Sequence, residues 1–109
     1  MHDLVYLQAT SLDSTDVPAL LTMYHTALAV AGVTADLQVL EKQFKACFID
    51  YARYNFAYTS HKLTPAEVEA NARAGRCIPH KRSVDRLRWF ISMTAEWLDE
   101  WEDGKLRWW

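Results

Sequence analysis

Residues 34–61, TADLQVLEKQFKACFIDYARYNFAYTSH, decide what kind of chain this is. Their apolar positions Leu37, Leu40, Phe44, Cys47, Phe48, Tyr51 and Tyr58 step by three, four or seven residues. That is the period of one face of an α-helix and not the alternation of a strand. Thr34 is placed to cap the start, and the pattern continues to about His61. A single long helix of this kind needs other helices to cover its apolar stripe.

The flanking sequence supplies them. Asp16 to Ala31 carries Pro18 in its first turn and apolar Leu20, Leu21, Tyr24, Leu28 and Ala31 at helical spacing, and Gly32 follows as a C-terminal stop. DLVYLQAT, residues 3–10, is read as a short helix entered at Asp3, although LVYL alone would also suit a strand, ahead of a polar turn, SLDSTD. TPAE at 64–67 combines an N-cap Thr64, a Pro65 at the first helical position and Glu67 for a capping box, so a short helix runs to about Ala74 and ends at Gly75. RCIPHK then connects to a last helix from Lys81 or Arg82 to Glu102. Val84, Leu87, Phe90, Ile91, Ala95, Leu98 and Trp101 are its expected apolar face. Three Gly and three Pro in 109 residues leave few tight turns for a sheet. The expectation is an all-α fold of four to five helices, forming a single helical domain over residues 1–109.

Composition narrows the function classes. A net charge of −2, from 12 basic and 14 acidic residues, gives no bulk attraction to nucleic acid or to an anionic membrane. Two cysteines, Cys47 and Cys77, make no disulfide framework and lack zinc-site spacing. With no leader-like or membrane-spanning run at the N-terminus, the expected location is the cytoplasm.

Four features invite a chemical reading. Asp50 and Asn55 have the five-residue spacing that kinase catalytic loops place between the catalytic aspartate and a metal-binding asparagine. On a regular helix, however, residues five apart point about 140° away from each other and cannot share a metal. The segment from Arg73 to Arg88 holds half of the chain's basic residues, at the start of the last helix, where the helix dipole disfavours cations. Arg76, His80, Lys81, Arg82 and Arg86 are the candidates there for contact with an anion or a partner, the alternative being solvated or structurally paired charges. Four of the five tryptophans, Trp97, Trp101, Trp108 and Trp109, fall in the last 13 positions and are candidates for an interface, the alternative being helix core. Cys47 lies on the apolar stripe and is expected to be packed, and His2, His25, His61 and His80 have no metal-ligand spacing. No catalytic, cofactor-binding or metal residue is assigned.

With the helices placed, their order resembles the C-terminal region of aminoglycoside phosphotransferase-like and choline-kinase-like small-molecule kinases. Asp3, Leu4, Tyr6 and Leu7 match the family's DLAYFL-like stretch, and Leu20, Leu21, Tyr24, His25, Ala27, Leu28, Gly32 and Val33 match its LLxxYHxALxxxGV pattern. TPAEVEANARAGRCIPHKRSVDRLRWFI is similar to the closing helices of eukaryotic members. The resemblance implies the helical part of the C-lobe of a protein-kinase-like fold, on the substrate side of an ATP-dependent phosphotransferase. The family's nucleotide-binding lobe, His-x-Asp loop and metal-binding aspartate lie upstream of the matching region. ATP and Mg2+ are therefore implied only for a full-length relative, and the chain is expected to be a truncated C-lobe that is not catalytic alone. Its implied partner is a missing N-terminal kinase lobe. The alternative is a free-standing protein-interaction module using the Trp-rich end or the basic segment 73–88.

Overall fold

The computed structural model describes residues 1–10, 15–58, 64–74 and 84–109. The expected turn at 11–14, the stop at Gly75, the 76–81 connection, His61 and the start of the last helix at 81 or 82 lie outside the described residues. Five α-helices run through the rest: α1 (His2–Thr10), α2 (Val17–Val30), α3 (Leu37–Tyr58), α4 (Pro65–Arg73) and α5 (Val84–Glu102). The fold is all-α.

Helix ends follow local chemistry. The Met1 carbonyl accepts from the amides of Leu4 and Val5 and starts α1. Asp16 caps α2, its Oδ1 accepting from the Ala19 amide at 3.0 Å, with Pro18 in the first turn. At α3 the cap is Asp36, whose Oδ1 accepts from the amides of Gln38 at 2.7 Å and Val39 at 3.4 Å. Thr34, expected in that role, lies two residues too early. Thr64 Oγ1 accepts from the Glu67 amide at 3.3 Å and opens α4, as the TPAE pattern requires.

Two helices share one kind of stop. Gly32 (φ 83°) follows α2 and Gly104 (φ 74°) follows α5. In both, the glycine amide and the next amide reach back to carbonyls three and five residues earlier: Gly32 to Ala29 and Val33 to Leu28, Gly104 to Trp101 and Lys105 to Glu100. This is the Schellman pattern, which needs a left-handed residue and so favours glycine.

α3 is the spine. α1, α2 and α5 pack against it and α4 packs against α5. Its buried positions Phe44, Phe48 and Ala52 meet Val5 of α1, Val17 and Leu21 of α2, and Phe90 and Trp97 of α5, and Leu40 and Asn55 are buried as well. The centre is aromatic: Phe48 lies 4.8 Å from the Trp97 ring centroid, edge to face, and 5.0 Å from that of Phe90. With extents of 44 × 31 × 19 Å, the molecule is two helices thick in its narrowest direction.

α5 turns inward a face that shares Phe90 with the expected one but is rotated from it. Ile91, Ala95, Leu98 and Trp101 are exposed, whereas Arg86, Phe90 and Trp97 are buried and Met93 is packed against the core. Apolar residues surround much of this helix, so periodicity alone admits two faces. The rings that α3 presents at Phe44 and Phe48 select the one carrying Phe90 and Trp97.

Candidate functional site

Among the described residues, the Trp-rich end is the sequence-derived candidate site that the structure largely assembles at the surface. Leu106, 3 % exposed, anchors the tail after the Gly104 turn, and Lys42 Nζ donates to the Arg107 carbonyl at 3.3 Å. The two last residues are thereby set beside α5. The Trp108 and Trp109 rings stand edge to face at 4.9 Å, and Trp109 lies 6.4 Å from Trp101. All three indoles are exposed. A groove of about 240 Å3 formed by Ala46, Ile49, Asp50, Arg53 and Trp101 adjoins them. Trp97 does not join this cluster: it is 6 % exposed, inside the core against Phe44 and Phe48. The surface group offers apolar area and π-faces for docking, and no group able to move a proton or attack a substrate.

The basic candidates divide differently. Arg76, His80, Lys81 and Arg82 lie outside the described residues. Arg86 is buried, donates from Nη2 to the Gln8 carbonyl at 2.9 Å and lies 4.9 Å from the Trp89 ring centroid. Its guanidinium therefore ties α5 to the end of α1. A buried cation must find partners inside the fold.

Asp50 and Asn55 diverge, as helical geometry requires. Asp50 is exposed and pairs with Arg53 at 2.8 Å, while Asn55 is buried and donates from Nδ2 to the Tyr51 carbonyl at 3.0 Å. Asp50 does meet two residues that the sequence leaves far apart. His2 places Nε2 3.5 Å from Asp50 Oδ2 and Nδ1 3.7 Å from Cys47 Sγ. This Cys–His–Asp row has the order of a nucleophilic triad but not its electrostatics. Burial pushes the Cys47 thiol up, the amino terminus opposes this and Asp50 adds to it, so the sulfur stays protonated. The i, i+3 pair Cys47 and Asp50 was visible in the sequence; the docking of α1 that brings His2 to it was not.

A second group was also missed. Lys45, on α3, is bonded to Glu41 at 3.1 Å and to Glu100 of α5 at 3.0 Å, and its ammonium lies 5.8 Å from the Trp97 ring centroid. Beside it is a cavity of about 250 Å3 between α2 and α3, walled by Val17, Leu21, Leu37 and Trp97. Thr22, Glu41 and Lys45 form the polar part of its lining. The i, i+4 spacing of Glu41 and Lys45 was the available signal. His25, part of the YHxAL pattern, has a structural role: its Nε2 lies 2.9 Å from the Ala35 carbonyl and holds the α2–α3 connection.

Among the described residues no group of three or more His, Cys, Asp and Glu side chains is placed to hold a metal ion, and no helix is long and apolar enough to cross a membrane. Comparison of the chain with models of known families, with curated proteins and with solved structures finds no match in any of the three.

Proposed function

We propose that this chain is a substrate-side helical segment from the C-terminal lobe of an ATP-dependent small-molecule phosphotransferase of the aminoglycoside phosphotransferase-like or choline-kinase-like kind, inert by itself. One observation carries the proposal beyond the resemblance. α1 and α2, the helices bearing the matched residues, are apolar on more sides than the fold covers. Tyr6 and Leu7 of α1 are 59 % and 45 % exposed, and Met23 and Val30 of α2 are 70 % and 86 % exposed. A helix apolar all round belongs in an interior. Both helices pack on α3, and on this proposal a further protein layer covers their exposed apolar residues. On this proposal nucleotide and Mg2+ are bound by that preceding lobe, and no residue of the present chain transfers phosphate.

Sequencing the transcript upstream of the Met1 codon tests this directly. The expected result is an in-frame His-x-Asp loop followed by a second aspartate. The longer product should phosphorylate a hydroxyl-bearing small molecule with Mg-ATP, while residues 1–109 alone do not. An in-frame stop immediately upstream overturns the proposal, as does turnover by the isolated chain that Asp50→Ala abolishes.

The anchored, exposed cluster of Trp101, Trp108 and Trp109 favours a second reading, a protein-interaction module. It requires that Trp108→Ala with Trp109→Ala abolish binding to a protein partner while leaving the melting temperature unchanged.

A further inference from the structure

The face of α5 turned away from α3 carries its own pattern. Arg88, Ile91, Ala95, Leu98 and Glu102 recur at steps of three and four residues, and all five are exposed. At 3.6 residues per turn they lie within about 80° of arc, roughly opposite the buried Phe90 and Trp97. Three-four spacing with an apolar middle is the pattern of a helix-packing seam. Arg88 and Glu102 are four turns apart, about 21 Å along the axis, and cannot reach each other within one chain.

The charges on this seam are exchanged about its centre. Arg88 and Glu102 are equally far from Ala95 and opposite in sign. We propose that the seam is the interface of a homodimer in which two copies of α5 cross antiparallel on a two-fold axis at Ala95. Arg88 of each copy then faces the partner's Glu102, Ile91 packs beside the partner's Leu98, and Ala95 meets its own copy. The small side chain at the crossing lets the axes approach closely. A parallel pair would set Arg88 on Arg88 and Glu102 on Glu102, which the charges forbid. The contact is isologous and closed, and because one four-turn seam buries less than a standard interface, association takes place at micromolar concentration. The proposal stands independently of the phosphotransferase reading.

Sedimentation equilibrium of the whole chain over the micromolar range provides the test. The expected mass rises from one chain towards two. Ala95→Arg sets like charges against each other on the axis and weakens the dimer by on the order of a hundredfold. Its circular dichroism stays that of the parent, because position 95 is exposed. Arg88→Glu makes both rim pairs repulsive and weakens it about tenfold. Combining Arg88→Glu with Glu102→Arg restores it, whereas a parallel pair would be indifferent to the single change. A chain monomeric throughout the range overturns the proposal. So does association that ignores Ala95→Arg and disappears on removal of Trp108 and Trp109.

Discussion

α2 and α3 invert the simple expectation that the more apolar helix is the more buried. α2, VPALLTMYHTALAV, has no charged side chain, yet it buries only Val17 and Leu21. α3 carries Glu41, Lys42, Lys45, Asp50 and Arg53 and still supplies the centre of the core, with Phe44 and Phe48 fully inaccessible. Charges confined to one arc leave the other arc free to pack, and the position of apolar residues around the axis then matters more than their number. Where apolar residues surround the axis, as on α2, one covered side leaves others facing water.

Replacing Phe48 by Ala strikes the better-covered helix at its centre. The ring touches Phe44, Trp89, Phe90 and Trp97, and its loss should cost about 3–5 kcal/mol in urea unfolding. That is a large share of the roughly 5–15 kcal/mol that stabilises a small domain. On α2 the same experiment should divide by side. Leu21→Ala, at a position 2 % exposed, is expected to cost about 2–3 kcal/mol. Val30→Ser, where the side chain is 86 % exposed, should shift stability by no more than about 0.5 kcal/mol and reduce aggregation. Equal costs at the two positions would break the contrast between α2 and α3, because they would mean that α2 is covered on both sides.

A smaller effect concerns how α3 begins. Asp36→Ala removes the oxygen that accepts from Gln38 and Val39. It should cost about 1 kcal/mol in the same unfolding assay. Thr34→Ala, two residues before that cap, should change the unfolding midpoint by almost nothing.

The all-α class, the start of α2 near Asp16, the Gly32 stop and the TPAE start of α4 were legible because each depends on residues within about one helical turn. Of the buried face of α5 only Phe90 was legible, because Ile91, Ala95 and Leu98 make as regular a stripe as Phe90 and Trp97. The choice between them is made by side chains on α3, some 40 residues earlier. The candidate sites divide in the same way. Exposure of Trp108 and Trp109 followed from their terminal position, whereas burial of Trp97 and Arg86 depended on which neighbours α3 and α1 supplied. The meeting of His2 with Cys47 and Asp50, and of Lys45 with Glu100, lies between helices and has no signature in either segment alone.

Lys45 sharpens the contrast most finely, being the charge on α3 that leans towards the core, and its contribution is expected to be lost only at high pH. Burial opposes its ammonium, but hydrogen bonds to Glu100 and Glu41, with the negative charges of both, outweigh that and hold its pKa above the ordinary 10.5. A cation favoured in the folded state stabilises fully below the unfolded pKa, and that contribution is lost as pH rises through the higher folded value. Tyr51 acts in the same sense: burial raises its phenol above the ordinary 10.0, against a hydrogen bond with Asn55 that lowers it. Burial raises the Cys47 thiol in the same sense, so urea midpoints measured in a Tyr51→Phe, Cys47→Ala background, from pH 8 upwards, should stay level until about pH 10 and then fall. With Lys45→Met added, the midpoint should start lower and the high-pH decline attributable to this pair should disappear. An unchanged decline would mean that the Lys45–Glu100 bridge contributes nothing to the docking of α5 on α3.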